Sequence, residues 1–97
     1  MEDGRIIELY WARDQQAIRE TDGKYGRLLH SIAWNLLRSR EDSEECVNDT
    51  YLRAWEAIPP ARPGVLRVWL GQINRNLSLD RSKRRRAQKR GGGAELL

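Results

Sequence analysis

The tightest constraint in this sequence is a run of apolar residues at three- and four-residue steps. Ile18, Tyr25, Leu28, Leu29, Ile32, Ala33, Leu36 and Leu37 recur at the spacing of one helix face. No segment alternates apolar and polar residues over a useful length, so the chain predicts no strand. Gly23 and Gly26 weaken the pattern, each by about 1 kcal/mol against Ala. The stripe is still read as one helix, from Asp14 as N-cap to about Leu37. Before it, Ile6, Ile7, Leu9 and Tyr10 predict a short first helix. After it, Ser39-Arg40-Glu41-Asp42 has the form of a capping box, a hydroxyl followed three residues on by a carboxylate.

The helix begun there carries an inward stripe of Cys46, Val47, Thr50, Tyr51, Ala54, Trp55 and Ile58. Pro59-Pro60 stops it, because neither proline donates the next helical hydrogen bond. A last helix is predicted from near Val65, burying Leu66, Trp69, Leu70, Ile73 and Leu77. The expectation is an all-α fold, a compact bundle of three to four helices. The domain should span residues 1–90. Gly91-Gly92-Gly93 then reads as the start of a flexible linker over 91–97, with any second domain absent.

A chain of 97 residues supports one core and little more. Cys46 is the only cysteine and His30 the only histidine, so neither an internal disulfide nor a Cys/His metal cluster is expected. No nucleotide-binding glycine loop or nucleophile–base pair is present, so the chain is read as not an enzyme and as needing no cofactor. No apolar run approaches the roughly 20 residues of a membrane span. The acidic start Met1-Glu2-Asp3-Gly4 is unlike a signal peptide, which predicts a cytoplasmic protein without membrane insertion.

Charge is unevenly divided. Residues 1–58 hold 8 basic and 12 acidic side chains, whereas residues 59–97 hold 10 basic and 2 acidic. Opposite halves imply partners of opposite character, and the basic half points to a polyanion. On the third helix Glu45, Asn48, Asp49, Leu52 and Glu56 share the outer side. Acids in a first turn are ordinarily explained by the helix dipole, and single exposed leucines are common. Asn48, Asp49 and Leu52 together also suit a basic partner helix. On the last helix Gln72, Arg75, Asn76 and Leu79 lie opposite the apolar stripe. Gln, Arg and Asn read base edges through paired donors and acceptors. Seven of the ten residues from Arg81 to Arg90 are basic, a density suited to phosphates and indifferent to sequence.

Two segments carry a family resemblance. Glu41-Asp42-Ser43-Glu44-Glu45-Cys46-Val47-Asn48-Asp49-Thr50-Tyr51-Leu52-Arg53-Ala54-Trp55 resembles the "E-D-A-E-D-L-V-Q-E-T-F-L-R-A-W" stretch of extracytoplasmic-function sigma factors. Trp69-Leu70-Gly71-Gln72-Ile73-Asn74-Arg75-Asn76-Leu77-Ser78-Leu79-Asp80 resembles the "W-L-x-x-I-A-R-N-L-A-L-D" stretch that follows it. The likeness runs from about Ile6 to Arg86 and covers only region 2 of the sigma-70 family. It implies the helical bundle of that region and a role in transcription initiation: binding core RNA polymerase, then recognising and helping to melt the minus-ten promoter element. The resemblance implies that the domain reading the minus-thirty-five element is expected to be absent from these residues.

By position, the resemblance assigns the β′ clamp-helix contact to Glu45, Asn48 and Asp49, with Leu52 and Arg53 at its edge. It assigns promoter DNA to Arg62, Arg67, Gln72, Arg75 and Asn76, and the DNA backbone to the basic segment Arg81, Lys83, Arg84, Arg85 and Arg86. An anti-sigma factor covering the acidic helix is a further implied partner. The loop Pro59 to Gly64 departs from the family in lacking an aromatic residue. That leaves Trp69 or the loop backbone for base capture, although Trp69 also fits the buried stripe. Two readings compete with this one: a general nucleic-acid-binding helical module, and a protein-interaction bundle with a solubilising basic tail.

Overall fold

A computed structural model describes residues 1–96, with side chains through Gln88. It contains four helices: α1 (Asp3–Trp11), α2 (Gln16–Leu37), α3 (Arg40–Ala57) and α4 (Leu66–Leu96), with no strand among the described residues. α2, α3 and α4 pack on one another, and α1 lies against α2.

α1 buries Ile6, Ile7 and Tyr10. The Tyr10 hydroxyl would be costly in that core without a partner. It meets the Thr21 hydroxyl at 2.7 Å, and Thr21 in turn donates to the Ala17 carbonyl. At the outer end, Asp3 accepts from Lys24 Nζ at 2.8 Å and from the Tyr25 hydroxyl at 2.7 Å. The Lys24 hydrogen bond holds the Asp3 carboxyl below its ordinary range, against the opposing effect of burial.

The turn between α1 and α2 places Arg13 at a φ of 55°, a left-handed conformation unfavourable for a side chain. That strain is offset by what Arg13 reaches. Its guanidinium donates to the carbonyls of Trp55 (2.8 Å) and Ile58 (2.9 Å), capping the end of α3, and lies 3.8 Å over the Trp55 ring. Asp14 accepts from the Gln16 amide at 2.9 Å, so it serves the start of α2 from one residue further out than a simple N-cap.

α2 is centred on Leu29, Ala33 and Leu37, all buried. Leu28, predicted to point inward, is 38 % exposed. Adjacent helical residues point about 100° apart, and the packing took Leu29. Gly26 leaves room for the Asp22 side chain to bridge α2 and α3. A Cβ there would come within 2.6 Å of Asp22 Oδ1, the carboxylate that accepts from the Tyr51 hydroxyl at 2.7 Å.

The predicted stripe of α3 is inward as a whole, with Trp55 half-buried. Its N-cap is Ser39, whose side chain accepts from the Asp42 amide at 3.3 Å. The second half of the expected capping box is not made by Asp42, whose carboxylate turns to α4. The buried ridge of α4 also differs from the prediction. Leu66 and Leu70 are buried, but the ridge continues through Asn74 and Ser78, while Trp69, Ile73 and Leu77 are half-buried. On that ridge the Ser78 hydroxyl donates to Asn74 Oδ1 at a long 3.5 Å. The helix bounds run across residues 91–93, where the sequence predicts a break. The expected linker, 91–97, lies outside the residues described with side chains.

Candidate nucleic-acid interface and acidic helix face

α3 turns its buried stripe to α2 and α4, so its remaining side is directed to solvent. Asn48, Asp49, Leu52 and Arg53 are all exposed there, Leu52 by 55 %. Asp49 takes part in no ion pair among the described residues. Asn48 borders a cavity of about 260 Å³ between α2 and α3, with Asp22, His30, Glu44 and Tyr51 among its walls. On α2, Trp34 is 39 % exposed at an adjoining hollow. The apolar spacing does not mark Trp34 as a surface residue. Its position outside the Leu29–Ala33–Leu37 line is the available signal.

Glu45 behaves differently from its neighbours. Its carboxylate lies 2.6 Å from Arg81 of α4, although its side chain remains 58 % exposed. Arg81 also reaches Asp42 at 2.9 Å. Burial opposes the charge on Arg81, but the hydrogen bond and charge of Asp42, with Glu45, outweigh it and raise the guanidinium's pKa. Arg85 completes the cluster, 3.2 Å from Asp42 and donating to the Leu37 carbonyl at 2.9 Å. Through that bond α4 also caps the end of α2. Arg81 and Arg85, assigned from sequence to the DNA backbone, are therefore engaged in ion pairs with α3 while their side chains stay 33% and 42% exposed. Lys83, Arg84 and Arg86 are exposed and make no ion pair among the described residues.

The face of α4 proposed to read bases is accessible. Gln72, Arg75 and Asn76 are exposed, joined by a long contact of 3.4 Å from Gln72 Nε2 to Asn76 Oδ1. Arg67 is exposed nearby in sequence, with Val65 and Val68 on the same first turns at 58 % and 59 %. Trp69 packs against the core, so the half of its dual reading that concerns packing is met. Arg62 does not project freely from the loop. It pairs with Glu8 of α1 at 3.3 Å and lies 4.1 Å over the ring of Trp11. Neither α1 residue stands out in the sequence, because both contacts cross some fifty positions of chain.

These faces lie on the segment that comparison with known families picks out. A family model described as sigma-70 region 2 matches residues 23–88. The chain belongs to the sigma-70 family. The matched part takes in most of α2, all of α3, the proline-rich loop and α4 to Gln88; α1 precedes it. This region 2 chain is also 30% identical over 57 residues to a protein of Mycolicibacterium smegmatis named ECF RNA polymerase sigma factor SigE. That alignment covers 59% of the present chain and 22% of the relative, so the region 2 chain spans a minor part of that protein. No solved structure matches it. No described helix is long and apolar enough to cross a membrane.

Proposed function

We propose that this region 2 domain works in transcription initiation, attaching to core RNA polymerase by the outer face of α3 and to promoter DNA by α4. The observation that carries the reading is the disposition of two unlike surfaces on one packed helix pair. Asn48, Asp49 and Leu52 stand exposed on α3, and Gln72, Arg75 and Asn76 stand exposed on α4. An acidic, amide-bearing face with one apolar residue complements a basic helix, the character implied for the β′ clamp helices. A face of Gln, Arg and Asn beside exposed basic residues complements nucleic acid. The mechanism is binding and strand capture. Base contacts made only to an opened minus-ten element favour the melted state over the duplex. An anti-sigma factor that covers α3 would block the polymerase contact.

The test is to copurify the chain with core polymerase and titrate the complex with single-stranded minus-ten oligonucleotides substituted one base at a time. Wild type should copurify and prefer one sequence. Asn76→Ala should cost about 1–3 kcal/mol on the preferred base and little on a mismatched one. DNA binding without any polymerase retention would overturn the reading in favour of a general nucleic-acid-binding module.

A further inference from the structure

The loop between α3 and α4 is held at three points. Arg13 bonds the Ile58 carbonyl, the Ala61 amide donates to the Ala57 carbonyl at 2.9 Å, and Arg62 is seated on α1. Three prolines stiffen the same stretch. The seat of Arg62 has a particular form. Trp11 lies beneath the guanidinium at 4.1 Å, and Glu8 takes one edge through Nη1 at 3.3 Å. The Arg62 side chain remains 57 % exposed. One face of a planar cation is therefore covered by an indole while much of the group stays open to solvent.

The indole itself is an uneconomical choice for packing. Trp11 Nε1 is shut away from solvent and has no acceptor among the described residues. A leucine or phenylalanine would fill space without an orphaned donor. An indole does provide the strongest ring surface for holding a cation. Arginine adds what lysine lacks, a flat guanidinium on which another ring can stack.

We infer that Trp11, Glu8 and Arg62 form a preorganised stacking platform for an unpaired base of single-stranded DNA. This rests on the promoter-opening reading above and assigns it a site. The aromatic surface absent from the loop comes from α1, outside the segment matched to the family. Trp11 orients the guanidinium, Glu8 fixes its rotation, and the base stacks on the outer face. Because the loop and Arg62 are already ordered, little freedom remains to be lost on binding. Stacking tolerates any base, so the platform holds a strand open while the α4 face supplies selectivity.

The test compares binding of the full chain to two short single strands of equal length, one bearing bases and one abasic throughout. Both present the same phosphates. Wild type should prefer the base-bearing strand by about tenfold, and the preference should survive added salt, which weakens only the phosphate contribution. Arg62→Lys retains the charge but not the plane, and should lower the ratio of the two affinities several-fold, leaving only the preference that the α4 face supplies. Trp11→Leu should do the same. If that variant fails to fold, Glu8→Gln, at an exposed position, should lower the ratio part-way. A ratio unchanged in Arg62→Lys overturns the platform and leaves Arg62 as a phosphate contact or a loop pin. A wild-type ratio near one also overturns it. Copurification with core polymerase is scored separately, so loss of the platform alone leaves the sigma-factor reading standing.

Discussion

Tyr51 and Asp49 sit two residues apart on α3 and face opposite ways, which separates stability from binding at single positions. The Tyr51 phenol is pushed far above its ordinary pKa by burial first, and then by the Asp22 carboxylate to which it donates. It therefore stays protonated throughout the usable pH range, and α2 and α3 stay bridged. Tyr51→Phe removes the donor but keeps the ring. Asp22 is exposed and can turn to water, so the expected loss is about 1 kcal/mol, read as a lower midpoint in urea with an unchanged slope. Asp49 has no such internal tie. Asp49→Arg should leave the unfolding curve within about 0.5 kcal/mol of wild type, yet abolish copurification with core polymerase. A folded variant that is still retained by the polymerase would remove Asp49 from the interface.

At the level of elements, the join between α3 and α4 is the cluster of Asp42 and Glu45 with Arg81 and Arg85. Asp42 is only 20% exposed and serves both arginines, so it is the member whose loss should matter most. Asp42→Asn should lower stability by about 2 kcal/mol, between the values for exposed and buried pairs. It should also release Arg81 and Arg85 to phosphates. Duplex DNA affinity measured at several salt concentrations should then fall more steeply with salt, by up to about 0.9 in the log–log slope for each arginine released. A loss of stability with an unchanged slope would mean the arginines stay docked. This cluster also marks where the sequence ceases to be readable. The helices are legible because apolar spacing and proline stops are local, and the inward stripe of α3 is complete. Ser39 is legible as a cap for the same reason. The destination of the Asp42 carboxylate is not, because its partner lies 39 positions away and competes with the local bond. Nor is the burial of Asn74 and Ser78, since the polarity of both side chains argues for a surface. At the candidate faces, the exposure of Asn48, Asp49, Gln72, Arg75 and Asn76 follows from the stripes opposite them. The engagement of Arg62, Arg81 and Arg85 does not, because charge density reveals that a segment is basic without revealing which members are already paired.

Across the whole molecule, that distinction changes what the basic half can contribute to DNA affinity. Residues 59–97 hold 10 basic and 2 acidic side chains, which suggests a large number of phosphate partners. Between positions 81 and 86, however, two of the five basic residues are committed to α3 and the end of α2. Lys83, Arg84 and Arg86 are the exposed members. They follow one another within about one helical turn, close enough to meet consecutive phosphates of one backbone. If they supply the non-specific affinity, replacing all three with alanine should weaken every duplex to a similar degree. The slope of log affinity against log salt should shrink by about 0.7–0.9 for each phosphate no longer neutralised, or about two to three in total. Thermal stability should change little, since none of the three makes an ion pair among the described residues. Replacing Arg81 and Arg85 instead should do the reverse, lowering stability while leaving most of the slope. The measurement is fluorescence anisotropy on several unrelated duplexes across a salt series, with melting curves of both variants. A selective loss for one sequence at constant slope would make the triplet a reader of bases, and the binding of phosphates would then have to come from Arg67 and Arg75.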